Sequence, residues 1–254
     1  MLALLSDGVV FNLKDAIKMA LPIFTHQYWF FTYYLILMSI SPILNNFVSG
    51  LTEKQFRKDL ILLLVVFSAA PSINIFGFSF GVNGGFSIVW FILLYLIAAY
   101  FRKYPRTFIW GWLYLVSVAL LILTRIVCTL QPRLTVVSKL LFQYNSVLVL
   151  MASVGLFCFA VQSNHSWKKT SGNLIKKTAA VSFGVYLLHE HGTFRDILWH
   201  KIVRLEDVAN EPLLFATKML LTIILVYVAG CLLNAIIQKL LALMPFNKQV
   251  HEGG

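Results

Sequence analysis

The 254-residue sequence predicts an all-α fold, a transmembrane bundle of about seven helices with the N-terminus outside and the C-terminus inside. Three observations carry that prediction. Hydrophobic residues make up 59% of the chain and charged residues 12%, with a mean hydropathy of +0.80, whereas a soluble domain carries about a quarter charged residues. A fold of this size cannot hide so much apolar surface in its own core, so the remaining solvent is lipid. The apolar residues also gather in seven stretches, and Lys and Arg cluster in the connections between them. The net charge of +11 is therefore the orienting charge of membrane loops, and nucleic-acid binding is excluded as a function class.

A spanning helix needs about 20 apolar residues. Span A covers 28–48 and contains Pro42; Asn45 and Asn46 are expected to satisfy the backbone groups that Pro42 frees. Span B, 59–76, includes Leu60 to Phe67, a run apolar on every face. That run lacks the alternation of a barrel strand, so helices win. Span C covers 86–101, and the B–C connection holds Gly77, Gly81, Gly84 and Gly85, which predict a flexible outer loop. Span D, 108–128, carries Arg125 near its outer end, where its stem can snorkel to lipid headgroups. Spans E, F and G follow at 144–162, 174–191 and 214–243. No polar stretch is long enough for a second domain, so the reading is a single membrane domain over 1–254.

Orientation follows from the connections. Lys54, Arg57 and Lys58 separate A from B, and Arg102, Lys103 and Arg106 separate C from D. Lys168, Lys169, Lys176 and Lys177 separate E from F. These dense loops favour the cytosol. Trp29, Trp90, Trp110, Trp112, Trp167 and Trp199 all stand near span ends or in loops, as an interfacial belt requires. Cys128, Cys158 and Cys231 are isolated in or beside apolar runs, with no metal or disulfide spacing, and read as packing residues.

Three motifs carry a family resemblance. Gln27-Tyr28-Trp29-Phe30-Phe31 through Ser41-Pro42-Ile43-Leu44-Asn45 is the first. Trp90-Phe91 through Tyr100, followed by Arg102-Lys103-Tyr104, is the second, and Ser182-Phe183-Gly184-Val185-Tyr186-Leu187-Leu188-His189 is the third. In this order they resemble the acyltransferase 3 family of integral membrane acyltransferases, and within it the members that acetylate bacterial cell-wall, capsular or exopolysaccharides. The resemblance implies about ten helices, of which this chain matches the last seven, so that about three further helices are expected ahead of it. It also implies acyl transfer, usually of acetyl, from a cytoplasmic acyl-CoA co-substrate to a sugar hydroxyl on the outer side. No bound cofactor is implied. The implied partners are the lipid bilayer and a polysaccharide or lipid-linked glycan acceptor. The arginine and histidine that the family carries in its first helix have no counterpart here.

Within the chain, His189 is the candidate catalytic residue. Ser182, Tyr186 and His189 stand at i, i+4 and i+7 and share one helix face; an imidazole there can take the proton of an attacking hydroxyl. Ser182, Tyr186 and Glu190 are candidate substrate contacts, as are Tyr28 and Trp29 at the outer end of span A, where an aromatic ring can stack on a glycan. The alternative for the stripe is helix packing, and for Tyr28 and Trp29 the interfacial belt. His191 and Asp196 form an HxxxxD string that resembles the His–Asp pair of soluble-domain glycerolipid acyltransferases; its alternative is a charged helix end. A rival reading of the whole chain is a non-catalytic membrane protein, either an inactive remnant or a glycan transporter component. The inverted repeats that a transporter predicts are absent. The orientation is directly checkable: on intact cells an impermeant amine reagent is expected to leave Lys168 and Lys169 unmodified, and their labelling would reverse the topology.

Overall fold

The computed structural model describes residues 28–74, 77, 80–162, 169–190, 195–208 and 211–243. It is helical, with no strand among the described residues, and it divides into two compact units, Trp29–His165 on one hand and Met1–Tyr28 with Ser166–Gly254 on the other. The first unit contains α1 (Trp29–Ser49), α2 (Glu53–Leu64), α3 (Ile88–Lys103), α4 (Trp110–Leu130), α5 (Thr135–Leu141) and α6 (Val147–Gln162). The second contains α7 (Lys169–His189), a π-helical segment Ile197–Val203 and α8 (Pro212–Leu243).

Among the described residues three helices are long and apolar enough to cross a bilayer: Trp29–Ser49, Trp110–Leu130 and Leu213–Ile237. Their side chains show what they face. Ile122, Leu123 and Ile126 of α4 are each more than half exposed, a contiguous apolar surface that water would not tolerate and lipid accepts. The buried core of the first unit lies inside this skin, where Phe56 and Leu60 of α2 meet Trp90, Leu93, Leu96, Ile97 and Tyr100 of α3. Trp90 and Trp110 are 3% and 9% exposed. They are therefore packing residues, and of the tryptophans assigned to an interfacial belt Trp112 is the one left open, at 64%. Trp167 lies outside the described residues.

Span B begins earlier than its hydropathy suggests. Thr52 and Gln55 form a capping box, with Gln55 N donating to Thr52 Oγ1 at 3.4 Å and Thr52 N donating to Gln55 Oε1 at 3.1 Å. This cap starts α2 at Glu53. Its first turns are amphipathic, burying Phe56 while Arg57 and Lys58 stay exposed, so a hydropathy window passes over them. The helix then continues through a π-helical turn at Val65–Ala69 and ends at Ala70–Ser72. The short α5 carries too few residues for a hydropathy signal. Its Ser138 is buried and lies 3.5 Å from Arg125 Nη1, so the Arg125 guanidinium is turned toward a protein hydroxyl.

Two prolines sit within helical stretches of this unit, and each removes the N–H that the carbonyl four residues earlier would accept. Pro42 frees Met38 O, which accepts from Ser41 Oγ at 2.8 Å. Ser41 thus does the work that the sequence had assigned to Asn45 and Asn46. Pro71 frees Phe67 O, which accepts from Asn145 Nδ2 at 3.3 Å, 78 residues away. Beside it Val147 N donates to Ser72 Oγ at 3.0 Å, and Ser72 Oγ donates to Ser68 O at 2.7 Å. Ser68, Asn145 and Ser146 are each 1% exposed. A buried polar seam therefore ties α2 to the start of α6.

Close approach supplies the remaining contacts. A Cβ on Gly155 would lie 2.8 Å from Tyr114 N and 3.0 Å from Trp110 O, so α4 and α6 meet backbone to backbone, as small residues permit in membranes. Gly85, at φ +99°, packs so tightly that a Cβ would lie 2.5 Å from Tyr144 Cβ. The glycine-containing connection is, at Gly84 and Gly85, a packed turn, with Tyr144 N donating to Gly84 O at 3.1 Å.

Asn145→Ala leaves Phe67 O without its side-chain donor inside the bundle, a loss of about 1–3 kcal/mol for a buried polar group. Thermal unfolding in detergent is expected to show a midpoint several degrees lower, and an unchanged midpoint rejects the seam as a structural tie.

Candidate functional site

In the second unit, α7 and α8 pack through small residues. A Cβ on Gly230 would lie 2.8 Å from Val185 Cγ1, and one on Gly184 would lie 2.5 Å from Asn234 Oδ1. Tyr227 OH donates to Thr178 O at 3.1 Å. On this framework the structure brings together three of the residues that the sequence singled out. The Tyr28 and Tyr186 rings are 6.3 Å apart, and Glu190, one turn beyond Tyr186, completes the group, its N donating to Tyr186 O at 3.1 Å. Tyr28 precedes the span Trp29–Ser49. Burial and, after it, the charge of Glu190 push its phenol above the ordinary tyrosine range. Glu190 Oε2 in turn lies 3.8 Å from Arg195 Nη1.

Ser182 does not offer its hydroxyl outward, because Ser182 Oγ donates to Ala179 O of its own helix at 2.7 Å. His189 is the last residue of α7, and its side chain lies outside what is described. His26 and His191 also lie outside the described residues. The Asp196 of the HxxxxD string has a cationic neighbour, Arg195 Nε, at 3.8 Å from its Oδ1. A small apolar cavity of about 320 Å³ opens between α7, the π-helical segment and α8, lined by Val185, Leu198, Val203, Leu225 and Gly230 among others. Lys218 at its edge donates to Arg204 O at 2.9 Å.

The larger cavity belongs to the first unit, and sequence reading had not assembled it. It measures about 880 Å³ and opens where the C-terminal ends of α1, α3 and α6 meet the start of α4. Its apolar lining includes Ala98, Ala99, Phe157 and Cys158. Within it Tyr95 OH donates to Asn45 Oδ1 at 2.7 Å, so Asn45 faces a cavity rather than a freed backbone group. Its rim is cationic, with Arg102, Lys103 and Arg106 all lining it. The three cations differ in what they are free to do. Lys103 Nζ donates to Val48 O, Ser49 O and Leu51 O at 2.9, 3.4 and 3.1 Å, and so caps the C-terminus of α1. Arg106 pairs with Glu53, and its carbonyl accepts from Trp110 Nε1 at 3.2 Å and from Gln162 Nε2. Arg102 has no ion-pair or hydrogen-bond partner among the described residues. The signal in the sequence was the string Arg102-Lys103-Tyr104-Pro105-Arg106, which was counted as orienting charge and not weighed as a binding rim.

At the opposite end of the same unit Trp29 stands in an aromatic cluster. Its ring centroid is 4.5 Å from that of Phe86, 6.3 Å from Phe91 and 6.4 Å from Tyr144, with the last pair stacked. Phe86 and Tyr144 meet edge to face at 5.0 Å. Among the described residues no group of three His, Cys, Asp or Glu side chains could hold a metal ion.

One family description matches the chain: the acyltransferase domain of the acyltransferase 3 family, over residues 6–232. No curated protein and no solved structure matches it. A match of that extent, on a bundle of apolar helices, makes the chain a member of the acyltransferase 3 family of membrane acyltransferases.

Proposed function

We propose that this protein is a multi-pass enzyme of the bacterial cell membrane that moves an acyl group, acetyl in the first instance, from acyl-CoA to a hydroxyl of a surface polysaccharide or lipid-linked glycan. The observation that carries the donor half is the cavity of about 880 Å³. An acyl-CoA is amphipathic, with several phosphates at one end and a slim, largely neutral arm ending in the thioester. The cavity has the complementary polarity, with guanidinium groups and apolar side chains both lining it and a tyrosine–asparagine pair within it. Guanidinium groups hold phosphate through charge-assisted, often paired hydrogen bonds, and Arg102 has none of these commitments elsewhere. The rim also lies on the side where lysine- and arginine-rich loops favour the cytosol, the compartment that supplies acyl-CoA.

In the reaction the sugar oxygen attacks the thioester carbonyl carbon, a new C–O bond forms and the C–S bond breaks. The hydroxyl proton passes to a general base, and CoA leaves as a thiolate that takes up a proton. His189 is the base on this reading, supported by its place in the Ser182–Tyr186–His189 stripe. Tyr28, Tyr186 and Glu190 are acceptor contacts, supported by their grouping in the second unit.

Arg102→Glu is expected to weaken binding of desulfo-CoA to the detergent-solubilised protein at least tenfold, the loss of one charge-assisted phosphate contact plus a new repulsion. Undiminished binding by isothermal titration removes the cavity from the donor role. His189→Ala is expected to reduce acylated surface glycan by two or more orders of magnitude while leaving desulfo-CoA affinity unchanged; normal acylation in cells carrying that variant takes His189 out of the chemistry.

A further inference from the structure

The aromatic end of the first unit holds a second, smaller cavity of about 470 Å³, lined by Asn83, Gly84, Phe86, Phe142, Gln143 and Tyr144. Two carboxamides share it with three aromatic rings, and the rings stay open, with Phe86, Phe142 and Tyr144 at 39%, 44% and 54% exposure. Carboxamides are costly in hydrocarbon, so this end meets water. Neither the Asn83 nor the Gln143 side chain makes a hydrogen bond among the described residues.

The shape is built rather than incidental. Asn83 is held at φ +44° and Gly84 at φ +65°, a left-handed pair that turns the chain so that Gln143 lies over Gly84, at 3.6 Å from where a Cβ would stand. Tyr144 N donates to Gly84 O, and Gly85 admits Tyr144 Cβ, which a Cβ at position 85 would meet at 2.5 Å. Trp29, stacked on Tyr144 and 4.5 Å from Phe86, braces the rings from behind. The turn and the connection preceding α6 are thus locked together with an amide on each side.

From this placement we infer that Asn83 and Gln143, with the open faces of Phe86 and Tyr144, form a cradle for one or two rings of the acceptor glycan. A sugar ring presents an apolar C–H face and an equatorial fringe of hydroxyls that both donate and accept. A carboxamide matches the fringe, since it too donates and accepts, and an aromatic face matches the C–H surface. No charge lines the cavity, so the ligand is a neutral or weakly charged saccharide and not a phosphorylated carrier. The inference rests on the glycan-acceptor reading above and adds a further acceptor subsite to the Tyr28, Tyr186 and Glu190 contacts, in a cavity other than the cationic one.

The test uses the full chain in lipid nanodiscs and saturation-transfer difference NMR, with chitotriose, cellotriose and maltotriose as probes. At least one trisaccharide is expected to receive saturation at its ring protons. Asn83→Ala and Gln143→Ala are each expected to weaken that binding about tenfold. Tyr144→Phe, which keeps the ring and guards against loss of fold, is expected to retain it. Binding that is indifferent to both amide substitutions, or no binding of any of the three sugars, overturns the cradle. A parallel titration with desulfo-CoA separates the two readings. Intact CoA binding without an amide-dependent sugar signal sinks the cradle alone, whereas an amide-dependent sugar signal without CoA binding sinks the acyl-CoA reading and leaves the cradle.

Discussion

A carbonyl in a bilayer has to find its donor within the protein, and much of the first unit follows from how that requirement is met. Pro42 and Pro71 each withdraw a donor from a helix. The first is answered within one turn by Ser41, and α1 stays self-contained. The second is answered by Asn145, from a connection that closes only once α3, α4 and α5 have been laid down. The same demand arises at helix ends. Lys103 reaches from the last turn of α3 to three carbonyls at the end of α1, so that one ammonium closes a helix and joins two of them. Hydrophobic packing fills the space between helices, but these polar contacts select which helix ends lie together, because misplacing them strands a polar group in a medium of low dielectric.

The two ends of the first unit carry opposite chemistry as a result. One gathers the C-termini of α1, α3 and α6 with the starts of α2 and α4, and Arg102, Lys103 and Arg106 stand among them. Lys103 offsets the partial negative charge at the C-terminus of α1, and the cavity inherits cationic lining. The other end gathers turns with positive φ and aromatic rings with amides between them. In the second unit the Tyr28, Tyr186 and Glu190 group brings two phenols and a carboxylate together, with burial and then Glu190 pushing the Tyr28 phenol above the ordinary tyrosine range.

The fold class was legible because it depends on composition and on runs of apolar residues, which survive any error in detail. The limits of α1, α4 and α6 lie within a few residues of the expected spans for the same reason. What hydropathy missed has a common cause. The start of α2 is set by the Thr52–Gln55 cap in a charged stretch, and α5 is a helix of 7 residues, too short to stand out in a hydropathy window. The roles of Asn45 and Arg102 were hidden differently. Each became visible only when helix ends distant in sequence met, since a cavity is a property of four helices and not of any one. The stripe on α7 was partly legible: Tyr186 and Glu190 stand with Tyr28, whereas Ser182 turns its hydroxyl back to its own helix, as hydroxyls in apolar helices commonly do.

The π-helical turn at Val65–Ala69 has a consequence for how this chain tolerates insertion and deletion. Such a turn is an α-helix with one surplus residue. Removing a residue there would relax the turn to regular geometry and leave both flanks close to their present phase, whereas a deletion in the regular part of α2 would swing everything on its N-terminal side by about 100° relative to Ser72. In that second case Phe56 and Glu53 would leave their partners on α3 and at Arg106, while the anchor to Val147 stayed in place. Loss of a single codon is therefore absorbed within this window and is a phasing lesion between it and the Thr52 cap.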